Sequence, residues 1–232
     1  MTIIFVNRNC SGREITSGTS GSEITSLKVL VRILLSVYYE SNCPDSKRFV
    51  LQQLRPAMRL LQDYVKLQFV PFGKSRSLNY GDDGFECQHG SAECLGNMVQ
   101  DCALFLMKGR SQREHLNYVA CEMATEAGSR GDLTCTRGAK LKEQEVEDCV
   151  LKGKGTILQL ESEHFTSLVR PTFVPTVTIN GVFDQEIQDY AQVDLFGAVC
   201  SAAPETPPCA RHYNTLALGY IMQRPTKLSN ML

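Results

Sequence analysis

The stretch VLVRILLSVYYESNCPDSKRFVLQQLRPAMRLLQDYVKLQFVP, residues 29–71, decides the fold. Its first part, Val29-Leu30-Val31-Arg32-Ile33-Leu34-Leu35-Ser36-Val37-Tyr38-Tyr39, is β-branched and aromatic. Its near-continuous apolar character predicts a strand buried on both faces. The run stops at Glu40-Ser41-Asn42. Cys43-Pro44 then sets a proline in the first turn of a helix, where its missing N–H costs nothing. Phe49, Val50, Leu54, Ala57, Met58 and Leu61 recur at helical spacing to about Gln62. Val65-Lys66-Leu67-Gln68-Phe69-Val70 alternates as a second strand and ends at Pro71. The stretch therefore predicts a β-α-β unit whose helix is led by a cysteine.

Working outward, residues 72–86 read as a polar connection, and residues 87–169 as a helical block carrying six cysteines and broken at Gly128-Ser129-Arg130-Gly131. Val174-Pro175-Thr176-Val177-Thr178-Ile179 is a strand led by a proline, and Asn180-Gly181 signals a tight hairpin. An amphipathic helix follows over 185–200 with Ile187, Tyr190, Ala191, Leu195, Ala198 and Val199 facing inward, closed by a loop at Pro204, Pro207 and Pro208. The order predicts an α/β, thioredoxin-like fold, with a helical, disulfide-rich insertion at about 87–169 between its βαβ and ββα halves, as in the DsbA-like branch. Residues 28–210 read as a single domain. Residues 1–27, rich in Ser, Gly and Thr, read as a flexible tail, and residues 211–232 as a C-terminal extension.

Twenty-four basic residues against 25 acidic ones leave a formal charge of -1, which excludes a broad electrostatic footprint for nucleic acid or anionic membrane. The apolar run over 27–39 is interrupted by Lys28 and Arg32 and is too short to span a bilayer. Ten cysteines exceed what a reducing cytosol usually tolerates and point to a protein of the secretory pathway. The run Thr2 to Val6 is too short for the apolar core of a signal peptide, so the N-terminus reads as that of a mature chain.

The chemistry centres on Cys43. At a helix N-terminus a thiol meets unpaired backbone N–H groups and the positive end of the macrodipole, both of which favour the thiolate. Lys47 and Arg48 are expected to reinforce this and Asp45 to oppose it. In Cys43-Pro44-Asp45-Ser46, Ser46 stands where a redox pair has its second sulfur. A serine hydroxyl is too weakly acidic to displace a thiolate, so a mixed disulfide on Cys43 should wait for an external small thiol. Pro175 is expected to be the cis proline beside the active cysteine. Cys87, His89, Cys94 and Cys102 lack paired C-x-x-C hooks, so no metal is expected there, and His89 reads as a structural histidine.

Between Cys87 and Cys102 the chain reads CQHGSAECLGNMVQDC. This resembles the signature of the gamma-interferon-inducible lysosomal thiol reductases, matched by Cys87, Gln88, His89, Gly90, Glu93, Cys94, Asn97 and Cys102. Tyr38-Tyr39-Glu40-Ser41, the segment from Val65 to Gly73, Val174 to Gly181, and Cys200 with Cys209 resemble the family too, so the resemblance runs from about 29 to 209. It implies a secreted or lysosomal reductase of protein disulfides that works through a C-x-x-C pair, from which this chain departs at Ser46. With Cys43 set aside and Cys10 in the tail, the remaining eight cysteines can form four bridges. Cys200 with Cys209 is the one pairing expected from sequence, and Cys10 would be free or link two chains. Two functions follow as expectations. One is weak thiol–disulfide exchange on disulfide-containing proteins through Cys43, with no cofactor beyond the external thiol. The other is a catalytically silent binding module for a protein partner.

Overall fold

The computed structural model describes residues 32–211. The expected tail over 1–27, Cys10, and all but the first residue of the 211–232 extension lie outside these residues.

Strand β1 (Ile33–Tyr39) is the centre of a three-stranded sheet. β2 (Val65–Pro71) lies parallel to it with Ile33 opposite Val65, and β5 (Thr176–Ile179) lies antiparallel with Val37 opposite Val177. Because side chains alternate across a strand, Ile33, Leu35, Val37 and Tyr39 enter the main core, while Tyr38 packs with Val70 and Phe72 in a smaller cluster. The outer edge of β2 is not left open. The Gln112 side chain accepts the Leu67 N–H and donates to Val65 and Gln62 carbonyls, pairing much as a further strand would.

The cysteine-led helix runs as α1 (Pro44–Phe49), a π-helical turn (Val50–Leu54) and α2 (Arg55–Leu61). The π turn has a cause in the sequence. Pro56 carries no N–H and its ring would collide with the carbonyl four residues back, so the helix widens by one residue ahead of it, with the Arg55 N–H bonding the Val50 carbonyl.

Residues 72–86 are less irregular than their composition implies, since β3 (Arg76–Ser77) pairs antiparallel with β4 (Phe85–Glu86). The insertion consists of α3 (Ser91–Leu106), α4 (Gln112–Thr125), α5 (Thr134–Gly138), α6 (Glu143–Leu151) and α7 (Lys154–Val169). A 3-10 turn, Gly128–Arg130, occupies the expected break. Cys102–Cys149 ties α3 to α6, and Cys121–Cys135 ties α4 to α5.

The C-terminal half differs from expectation in three ways. Asn180 and Gly181, at φ 53° and 78°, make the tight turn, but the strand after it shrinks to one bridge between Ile179 and Val182. Val182 is 66 % exposed and has no core to pair over, and Asp184 two residues on caps α8 (Gln185–Ala191) by accepting the Ile187 N–H. The long final helix is split, because Asp194 accepts the Gly197 N–H and starts α9 (Leu195–Ala202) afresh. Tyr190 consequently faces outward, its hydroxyl donating to Asp194, while Leu195, Ala198 and Val199 are buried. Pro207 and Pro208 open a short helical turn rather than a loop, and Cys209 bridges back to Cys200.

Candidate active site

Cys43 sits at the junction of β1 and α1, where the parallel β-α-β connection brings a helix N-terminus to the end of the central strand. It is the N-cap of α1, its N–H bonding the Glu40 carbonyl and its own carbonyl accepting the Lys47 N–H. It is also the free cysteine of the described residues, the other eight being bridged. The Cys43 thiol is buried, the residue being 6 % exposed. Lys47 and Arg48, expected to act on the sulfur, are engaged elsewhere. Lys47 pairs with Glu126 of the insertion at 3.0 Å and Arg48 with Asp45 at 2.9 Å, so each positive charge is offset by a carboxylate.

Ser46 is fully buried, and its hydroxyl oxygen accepts the Glu40 N–H at 3.3 Å. It thus ties the first turn of α1 to the end of β1.

The signature segment folds into a clamp beside this junction. The Cys87–Cys94 bridge closes a short loop, Gly90 turns it at φ 85° and leads into α3, and Glu93 in the first turn of α3 reaches back. Its two carboxylate oxygens accept the His89 backbone N–H at 3.0 Å and meet His89 Nδ1 at 2.6 Å. One turn on, Asn97 Oδ1 accepts the Ser41 N–H at 2.9 Å, and Ser41 Oγ donates to the Glu93 carbonyl. Gly96 permits the contact, because a Cβ there would lie 2.1 Å from Ser129 Oγ and 2.5 Å from Ser41 Oγ. Cys102 anchors the far end of the same helix through Cys149, and Gln88 is exposed.

The clamp delivers His89 to Cys43, which sequence reasoning did not foresee. A donor nitrogen of His89, Cys43 Sγ and a carboxylate oxygen of Glu40 all lie within 4.8 Å of one another. Glu40, read in sequence as the end of a strand and as part of the family resemblance, is fully buried. One carboxylate oxygen accepts the Lys74 N–H at 2.7 Å, and the other lies 3.4 Å from His89 Nδ1 with no hydrogen-bond partner among the described residues. Burial pushes the Glu40 carboxyl above the usual carboxylate range, against the Lys74 N–H and with repulsion from Glu93. The signal available in sequence was an acidic residue placed directly after a strand buried on both faces.

Pro175 follows a cis Val174–Pro175 bond and leads into β5. It lines a groove of about 250 Å³ with Asp45 and Arg48 of α1, Phe173, Val174, and Gln188, Asp189 and Gln192 from the region of α8. Gln188 and Gln192 both donate to the Pro175 carbonyl.

Residues 34–151 match the family model described as "Gamma interferon inducible lysosomal thiol reductase (GILT)". "GILT-like protein 1" of Drosophila melanogaster is 33% identical over 201 residues, covering 78% of this chain and 80% of that protein. The "Gamma-interferon-inducible lysosomal thiol reductase" of Carassius auratus is 30% identical over 184 residues, covering 77% and 71%. Among solved structures, oxidised BdbD from Bacillus subtilis superposes with a TM-score of 0.51 at 11% identity, covering 69% of this chain and 83% of that one. The fold is thioredoxin-like, with the helical, disulfide-rich region inserted between its halves. The chain belongs to the gamma interferon inducible lysosomal thiol reductase family.

Proposed function

We propose that this family member carries out thiol–disulfide exchange with one active sulfur, Cys43, and with an external small thiol in the role of the missing partner. The family and the fold support a thiol–disulfide oxidoreductase role. The observation that carries the single-sulfur reading is an unbridged cysteine at a helix N-terminus with an imidazole close by, in a site where the other nearby sulfurs, Cys87 and Cys94, are bonded to each other.

The Cys43 thiol gives its proton to the His89 imidazole, which Glu93 orients. The resulting thiolate attacks one sulfur of a substrate disulfide. That S–S bond breaks, a Cys43–substrate disulfide forms, and the departing sulfur leaves as a thiolate that takes up a proton. Ser46, buried and bonded to Glu40, supplies no second sulfur. A small thiol attacks the Cys43 sulfur and releases the second substrate thiol, and another molecule of it then restores Cys43. Two small thiols become one small disulfide for each substrate disulfide reduced, and no other cofactor is called on. Disulfide-containing proteins are the proposed substrates, and a link between two chains through Cys10 is part of the same reading. Four bridges among the described residues support a secreted or lysosomal location, since such bridges persist in oxidising compartments.

The test is the rate at which the chain reduces a disulfide protein with a small thiol present. The expected order is slow turnover by the native chain, none by Cys43→Ala, and faster turnover by Ser46→Cys. Equal rates in all three overturn the proposal.

The burial of Cys43 favours a second reading, a silent relative that serves as a binding module for a protein partner. Alkylation of the native chain separates the two. A thiol that reacts only after unfolding supports the silent form.

A further inference from the structure

We infer that Glu40, Cys43 and His89 form a binding site for a divalent cation of zinc's chemistry. Glu40 and Glu93 are both fully buried, and both pair with the same imidazole, at 3.4 and 2.6 Å. Lys74 contributes its backbone N–H to one oxygen of Glu40, and its ammonium, on an exposed residue, acts from further off. The second oxygen of Glu40 is buried without a hydrogen-bond partner among the described residues, at the place where the thiol and the imidazole converge. A buried carboxylate oxygen without a hydrogen bond is costly, and a cation is the group that satisfies it together with its neighbours.

The donor set has a matching chemistry. Sulfur, nitrogen and oxygen from Cys, His and Glu are the ligand types zinc takes, and three protein ligands leave a fourth position for water. Bonds of about 2.0–2.3 Å in a tetrahedron put donors about 3.3–3.8 Å apart. Donor atoms already within 4.8 Å need close by only about 1 Å to reach that spacing. Glu93 meets His89 Nδ1 at 2.6 Å, the nitrogen that Glu40 approaches at 3.4 Å, and so fixes the orientation of the ring in the cluster. The Cys87–Cys94 bridge keeps two competing sulfurs bonded to each other.

This site differs from the group Cys87, His89, Cys94 and Cys102 considered from sequence, with which it shares His89 alone. It does not rest on the exchange reading either, since a chain without exchange activity would bind the cation equally well. In a chain with exchange activity, the bound cation occupies the sulfur and holds the reaction off.

The experiment uses the full chain carrying Cys10→Ala, which removes the one cysteine outside the described residues, and titrates it with cadmium and zinc. One equivalent of cadmium is expected to produce the ultraviolet charge-transfer band of a cadmium–thiolate bond, and zinc to abolish it by displacement. Cys43→Ala is expected to remove the band, and Glu40→Gln and His89→Gln each to weaken binding by about tenfold or more. Absence of the band, its survival in Cys43→Ala, or unchanged affinity in His89→Gln or in a folded Glu40→Gln overturns the inference. If Glu40→Gln does not fold, His89→Gln, whose side chain is partly exposed, decides the matter.

Discussion

The helical insertion and the β1–α1 junction use cysteine in opposite ways. In the insertion, Cys102 and Cys149 are buried among apolar side chains and bonded to each other, and Cys121 and Cys135 staple neighbouring helices. At the junction Cys43 is just as buried, yet it has no sulfur partner and stands among a carboxylate and an imidazole. Burial does not separate a structural cysteine from a chemical one here. What separates them is the company, apolar walls and a second sulfur in one case, ionisable groups in the other. The same contrast runs through α3, whose first turn holds His89 through Glu93 and whose later turns carry the Cys102 staple.

The sharpest break of this contrast is to remove one sulfur pair. The Cys102–Cys149 bridge closes a loop of 47 residues, and replacing both by alanine should cost about 4 kcal/mol of stability by loop-closure entropy. Cys43→Ala, with no bridge to lose, should cost about 1 kcal/mol or less. Denaturant unfolding measures both, and equal losses would erase the distinction.

A smaller effect is expected where the two regions touch. Gly96→Ala should favour the helix by about 1 kcal/mol on propensity alone. The added Cβ nevertheless strikes Ser129 and Ser41, and a net loss of about 1–3 kcal/mol in thermal unfolding is expected. A gain in stability would mean that the insertion does not press on the junction.

The subtlest comparison sets acid groups of the insertion against pH. Burial raises Asp101 to about 8, although Gln159 and Ser162 donate to it. A carboxyl whose pKa is higher in the folded chain holds its proton there longer than in the unfolded chain. Its contribution is full below the unfolded value near 4 and is lost as pH rises through about 8. Glu122, raised by its own burial, adds in the same direction. The protein should therefore unfold at a higher temperature at pH 5 than at pH 8, and Asp101→Asn should flatten that slope. A steeper or unchanged slope would assign the pH response to other groups.

Much of this architecture was legible in residue order. Pro44 at a helix start, the apolar period down to Leu61 and the alternation over Val65–Pro71 gave the β-α-β unit its place. Asn180-Gly181 gave the turn but not the strand after it, since turn chemistry is local while a strand needs a run of partners and a core, and Val182 has one bridge, to Ile179, and is 66 % exposed. Asp194 was a legible cap that the apolar period over 185–200 obscured.

By itself the sequence determined that one cysteine leads a helix, that its partner position holds oxygen rather than sulfur, and that the rest are even in number once Cys10 is set aside. Those are properties of neighbours along a chain. Tertiary structure alone decided that Cys43 is buried, that the Cys87–Cys94 loop carries His89 to it, and that Glu40 stands beside both with an oxygen that makes no hydrogen bond among the described residues. Periodicity reports which face of an element is apolar. Which faces meet is settled only when strands and helices pack, and the chemistry of this site arises from that meeting.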